Sequence, residues 1–364
     1  MTREFYVGLM SGTSLDGVDA VLAEFVDDKP RLAGNTHLAF DTGLRRELLA
    51  LNSPAENEIE RAALAGNALA EKYAAAVAAV LASAKTPAAE VRAIGCHGQT
   101  VRHRPQRGYT TQLGNAALLA ELTGIRVVAD FRVRDIAAGG QGAPLAPAFH
   151  AAVFAHGAED RAVVNLGGIA NLTFLPRSGE VIGFDSGPGN CLLDLWALRH
   201  LGAALDNGGR WAAAGKVIPA LLERLLQEAY FAAAPPKSTG RDLFNEIWLR
   251  ERLRGGEEPQ EVQATLLELT ARSLANACAR HCAGARRLIA CGGGAKNEAL
   301  MRRLAELIAP VPLDTSDRHG MDPQLVEAAA FAWLAKRTLE GRTGNLPSVT
   351  GARAARVLGA IYPG

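Results

Sequence analysis

Residues 10–19 read Met-Ser-Gly-Thr-Ser-Leu-Asp-Gly-Val-Asp, two glycines, three hydroxyls and two aspartates set between the apolar run FYVGLM and the run VDAVLAEFV. Gly12 and Gly17 have the spacing of the glycines in a Walker A phosphate loop, but Val18 and Asp19 stand where that loop needs Lys and Ser or Thr. A Walker loop also leads into a helix, whereas residues 18–26 alternate like a strand. The stretch therefore reads as a hairpin turn. Asp-Gly is a common signal for an ordinary polar turn, so the rest of the chain has to say whether this turn also binds something.

The chain has 364 residues, of which 48% are hydrophobic and 21% charged, enough for two or three domains with substantial cores. A net charge of +1, with no basic block interleaved with aromatics, argues against a nucleic-acid partner and favours small molecules. The N-terminus MTREFYVGLM lacks the pattern of a cleavable leader, and no run reaches the ~20 apolar residues of a membrane helix. The expectation is a cytoplasmic protein without a membrane partner. The five cysteines have no disulfide-like spacing. Cys278, His281 and Cys282 share helical spacing but lack the fourth ligand of a structural zinc site.

Three strand-like runs fill residues 4–40, followed by the long helical pattern EIERAALAGNALAEKYAAAVAAVLASA and then VRAIGC, NAALLAELTG and RVVADF as strand, helix and strand. The order restarts at Arg161. RAVVNLG, IANLTFLP and EVIGFD read as strands, LLDLWALRHLG as a helix, and the rest alternates a helix at VQATLLELTARSLANACARH, the strand RRLIAC, and helices in NEALMRRLAELIA and PQLVEAAAFAWLAKRTL. Such alternation predicts two similar α/β domains with mainly parallel sheets and a cleft between them. Two stretches lack periodicity, DFRVRDIAAGGQGAPLAPAFH and residues 207–245, and both are candidates for the substrate site.

Gly167 and Gly168 split VVNLGGIANLTFL as Gly12 and Gly17 split the first hairpin, so two glycine turns from two domains could hold the phosphates of one nucleotide. Gly292, Gly293 and Gly294 stand where the strand RRLIAC gives way to a helix, which is where ligands of open α/β sheets bind. Asp185 is read as ending the strand EVIGFD, placed either to act as a general base or to cap the next helix. Asp16 and Asp19 offer hard oxygens to magnesium or are plain turn carboxylates. Glu327 is expected on a helix starting at Asp322-Pro323, and His97 and His103 bracket a loop suited to a polar substrate.

Taken together, MSGTSLDGVDAVL, CHGQTVRHRP, ADFRVRDIAAGGQGAPLAPAFH, VNLGGIANLTFL, GFDSGPGN, PPKSTGRDLFN, CGGGAKN and VEAAAFAWLA resemble the anhydro-N-acetylmuramic acid kinase family, almost from end to end. Three minor departures are Asn115-Ala116-Ala117 where a proline is expected, Ser186 in place of Thr, and Ala214 in place of Ser. The resemblance implies two ribonuclease H-like domains of the actin-like ATPase fold flanking a nucleotide cleft. The implied boundaries are 1–132 plus 340–364 for the first domain and 133–339 for the second. It implies a sugar kinase that uses ATP and Mg2+ to open 1,6-anhydro-N-acetylmuramic acid and phosphorylate it in peptidoglycan recycling, and a homodimer. Asp185 would be the catalytic base. Gly12, Thr13, Ser14, Asp16, Gly17, Asp19, Gly167, Gly168, Gly292, Gly293, Gly294 and Asn297 would bind the nucleotide, with Asp16 and Asp19 at the metal. His97, Gln99, Arg132 and Glu327 would meet the sugar.

Overall fold

The computed structural model describes residues 4–12, 14–26 and 29–364. The chain divides into two compact units, one formed by residues 1–153 and 325–364, the other by residues 154–324.

In the first unit, strands β1 (Phe5–Met10), β2 (Gly17–Val26) and β3 (Lys29–Ala39) form an antiparallel meander. The strands β4 (Val91–Cys96) and β7 (Val127–Ala129) then add in parallel on the other side of β1. Between them, β5 (Gln99–Arg104) and β6 (Tyr109–Leu113) make a separate two-stranded ribbon where a loop was expected. The second unit repeats the plan. Here β8 (Arg161–Leu166), β9 (Ile169–Leu175) and β10 (Ile182–Pro188) form the meander, and β11 (Arg287–Cys291) and β12 (Leu313–Thr315) follow in parallel. The sheet orders are β13-β7-β4-β1-β2-β3, with β13 (Ala360–Tyr362) added at the edge, and β10-β9-β8-β11-β12. The duplication read from element order is thus present strand for strand.

Helix Glu58–Ala84 is long and apolar enough to cross a bilayer by length and composition. Its Leu69, Tyr73, Val77 and Val80 instead lie in the core beside β1 and β2, a stripe at helical spacing. The other face of the first sheet is covered by helix Val326–Leu339. Gly8 of β1 and Gly95 of β4 are partners in register. A Cβ on Gly8 would overlap Ala328 O and lie 2.8 Å from Ala332 N, and one on Gly95 would overlap Phe331 O. The paired glycines form a notch that lets helix backbone approach sheet backbone.

That packing places the unit boundary away from the one expected. Residues 133–153 and the helix Val326–Leu339 belong to the first unit, not the second. The aperiodic stretch after Arg132 is also ordered, with short helices Val133–Ala137 and Ala146–Phe154. The fully buried Asp135 fastens it. Its Oδ2 accepts from Gly142 N at 2.7 Å, and its Oδ1 accepts from Asn345 Nδ2 at 2.6 Å and Thr350 Oγ1 at 2.7 Å.

Gly8→Ala should therefore destabilise the protein by about 3 kcal/mol, because the added methyl meets backbone that cannot move aside. Chemical denaturation measures this, and native stability in the variant would contradict the close packing of this helix on the sheet.

Candidate active site

The turn between β1 and β2 is shaped by Leu15, a non-glycine residue at φ 56 whose side chain is 5% exposed in the core. Burial of that side chain offsets the strain of a left-handed leucine. Leu15 N donates to Gly12 O at 3.3 Å, and Phe40 N to Asp16 O at 3.1 Å. Ser14 Oγ donates to Asp16 Oδ1 at 2.6 Å, and His37 Nδ1 donates to Asp19 Oδ1 at 2.8 Å. Among the described residues other than its chain neighbours, a Cβ added to Gly12 would meet only Ser14 Oγ, at 3.7 Å. Gly17 differs, since its Cβ would overlap Leu38 O; its lack of a side chain serves the β2–β3 pairing. Thr13 lies outside the described residues.

The end of β4 leads to His97 and Gln99, which are 5% and 1% exposed. Both are engaged inside the unit. Gln99 Nε2 donates to Gly12 O at 3.1 Å, tying the turn to β5. Arg132 Nε donates to His97 Nε2 at 3.0 Å, and Arg132 Nη1 to Gly142 O at 2.8 Å. An imidazole nitrogen that accepts from a guanidinium must be unprotonated. Consistently, burial first and the neighbouring Arg132 charge second hold His97 well below the usual histidine range. The ring also lies 4.7 Å from that of Phe331. His103 is pushed down to about 4 by burial, Arg132 and Arg104. Glu327 sits half-buried in the first turn of helix Val326–Leu339, where the helix dipole favours a carboxylate. That helix begins at Val326, not at Asp322-Pro323, because Asp322 Oδ1 accepts from Gln324 N in a turn and Pro323 O is held by Gly292 N at 2.7 Å.

In the second unit Asp185 does not end its strand. β10 continues to Pro188, and the pairing with β9 shifts between Asp185 and Gly187, leaving Ser186 as a bulge. Pro188 is tolerated because β10 is the edge strand. The following helix, Cys191–Leu201, has Asn190 at its N-cap position, so Asp185 is not its cap. Asp185 is 7% exposed. Thr239 N donates to its Oδ2 at 3.0 Å, Tyr230 Oη to its main-chain oxygen at 2.7 Å, and its own N–H to Lys237 O at 3.2 Å. All three partners come from the segment around PPKSTGR, the second aperiodic stretch, which otherwise includes the regular helix Pro219–Leu226.

Around the other glycines, Asn190 N donates to Gly167 O at 2.9 Å, and Gly189 N and Cys191 N each to Gly168 O at 3.0 Å. A Cβ on Gly189 would overlap Gly167 O, which fixes the β8–β9 turn against the loop after β10. Gly292, at φ 82, and Gly294 are both packed against Leu166, while Gly293 is exposed with nothing within 4 Å of an added Cβ. Asn297 caps helix Glu298–Ile308, its Oδ1 accepting from Leu300 N at 3.0 Å.

Residues 4–364 match the family model described as anhydro-N-acetylmuramic acid kinase. The chain belongs to that family. A protein of that name from Variovorax paradoxus is 56% identical over 374 residues, covering 100% of both chains, and one from Nitrosospira multiformis is 53% identical over 365 residues, again covering 100% of both. Among solved structures, component A of the (R)-2-hydroxyglutaryl-CoA dehydratase of Acidaminococcus fermentans aligns with a TM-score of 0.50 and 13% identity, covering 90% of this chain and 96% of that one. This is a likeness of fold.

Carboxylates such as those of Asp16 and Asp19 are hard oxygen donors of the kind that bind Mg2+ together with phosphate oxygens and water. Each accepts from a neighbouring side chain, Asp16 from Ser14 and Asp19 from His37. Sequence reasoning missed Tyr230, Thr239 and His37. The pattern left His37 unmarked, although it pairs directly with Asp19 across β2 and β3.

The neutral His97 makes stability depend on pH. Its folded-state pKa lies below the unfolded value, so its contribution is complete above about pH 6.5 and is lost as pH falls below that value. Between pH 6.5 and 5.5 this amounts to about 1 kcal/mol. Urea unfolding at the two pH values should show the loss in the wild type and a smaller one in His97→Gln; equal losses would mean His97 titrates normally.

Proposed function

We propose that this chain uses ATP to convert 1,6-anhydro-N-acetylmuramic acid to N-acetylmuramic acid 6-phosphate, the reaction its family name points to, as a cytoplasmic homodimer. The observation that carries the assignment of roles is the carboxylate of Asp185, buried and fixed by the main chain of Thr239. A general base needs this rigidity to stay in line with the proton it removes.

In this reading Asp185 takes a proton from water as the water oxygen bonds to the anomeric carbon. The bond from that carbon to the bridging O6 breaks. O6 then bonds to the γ-phosphorus, ADP leaves, and the proton ends in solvent through Asp185. The turn from Gly12 to Asp19 receives phosphate, and Asp16 and Asp19 would hold Mg2+, which when bound offsets phosphate charge. Gly167 and Gly168 would face the phosphates on the second unit, and the uncovered Gly293, between Gly292 and Gly294, leaves room for the adenosine. Asn297 would act there indirectly, by capping the helix that starts behind the glycines. Arg132, fixed by His97, supplies a guanidinium for the lactyl carboxylate. Gln99 supports the phosphate turn through Gly12, and Glu327 is assigned to sugar hydroxyls.

Turnover in 18O-water tests the reaction. Label is expected at the anomeric carbon of the product and not in the transferred phosphate, with early quenching to limit exchange. Labelled inorganic phosphate formed without sugar would replace this reading with a simple ATPase. Asp185→Asn should lower kcat by at least about 10²-fold with ATP affinity retained, since the amide keeps the shape but takes no proton. Gly12→Val should weaken ATP binding, measured by calorimetry, without loss of thermal stability, because among the described residues other than its chain neighbours a Cβ there meets only Ser14 Oγ, at van der Waals distance. Unchanged affinity would remove phosphate from this turn.

A further inference from the structure

Lys237 is 8% exposed, an unusual position for a lysine, whose head group normally reaches water. Its Nζ donates to Tyr230 O at 2.9 Å and lies 4.7 Å from the centroid of the Tyr230 ring and 5.6 Å from that of Phe184, the residue before Asp185. Its main-chain oxygen accepts the N–H of Asp185, and two residues later Thr239 N–H holds the Asp185 carboxylate. The same residue thus brings a buried positive charge next to Phe184, the neighbour of Asp185, and a main-chain acceptor to Asp185 itself.

We propose that Lys237 is a positioning residue for Asp185, its buried ammonium supplying the fixed positive field in which the carboxylate works as a base. This rests on the function proposed above. A structural staple would need only a donor to Tyr230 O, whereas a field needs the charge. Burial lowers the Lys237 pKa most, Arg280 lowers it further, and Asp185 raises it. The other titratable groups at this corner are Tyr230, whose phenol burial and the Asp185 charge push far up, and Arg280 and His281 at the end of helix Pro259–His281. His281 meets the Phe184 ring edge-on at 4.9 Å and is shifted below its usual range, mainly by burial. On β9, Asn171 is the residue opposite Asp185 and does not titrate.

The test compares pH profiles of kcat at saturating ATP and anhydro sugar for wild type, Lys237→Gln, Lys237→Arg and His281→Gln, each first shown to bind ATP. Without the positive charge, the acid limb in Lys237→Gln should move up by about one pH unit, so that activity falls about tenfold further below the limb than above it. The limb should stay in place in Lys237→Arg and His281→Gln. An unmoved limb in Lys237→Gln, an equal shift in Lys237→Arg, or a shift in His281→Gln overturns the proposal. A second measurement needs neither turnover nor a folded neutral variant. With 13C-lysine, the Lys237 side-chain signal, assigned by its loss in Lys237→Arg, should titrate at lower pH in Asp185→Asn than in wild type. Equal titration in the two overturns the pairing. Absence of sugar-dependent ADP release in wild type would instead count against the proposed function and leave the labelled-lysine result standing.

Discussion

Helix Val326–Leu339 can lie on the first sheet only because Gly8 and Gly95, neighbours on β1 and β4, present no side chain to it. Much of the first unit's site follows from that close approach. Phe331, whose carbonyl fills the place of a Gly95 side chain, sets its ring against His97 and, at 5.5 Å, against Phe131. Burial in this packing, with the Arg132 charge beside it, keeps the imidazole neutral, and a neutral imidazole can accept from Arg132. The guanidinium is thereby aimed by a chain of contacts that begins at two missing methyl groups. Further along the same C-terminal segment, Asn345 and Thr350 reach the Asp135 carboxylate and hold the loop whose Gly142 carbonyl gives Arg132 its other anchor.

The second unit solves a comparable problem by different means. A carboxylate proposed to act on water has to be held in a fixed orientation. Asp185 is held by a bulge in an edge strand and by amide and phenol donors from one irregular segment. Hydrogen bonds from neutral main chain orient a carboxylate and still allow it to accept a proton, which a bidentate arginine would oppose strongly.

How far these arrangements were legible depends on the range of the interactions that make them. The meanders, the two glycine hairpins, the long helix Glu58–Ala84 and the repeated element order follow from period and turn chemistry, which are local. Asp185 was recognisable as a candidate, but its strand was cut short because Ser-Gly-Pro-Gly signals a turn; that an edge position tolerates the proline is a tertiary fact. The ribbon of β5 and β6 had a faint signal in the alternation of Thr-Val-Arg-His and Tyr-Thr-Thr-Gln. The stretch after Arg132 had none, since Asp135 finds its partners 210 and 215 residues away. The same distance effect moved the unit boundary, because nothing near Val326 announces that its helix belongs with β1.

The order of the segments along the chain also has a consequence for synthesis. The first unit is interrupted by residues 154–324, which form a continuous unit of their own. A ribosome releases the whole of that insert before it makes the helix that covers β1 and β4, or β13, which completes the edge of the first sheet beside β7. Domains tend to fold as they emerge. Here the part begun first waits for a later segment, and the glycine notch has no helix to cover it until residues 326–339 are made.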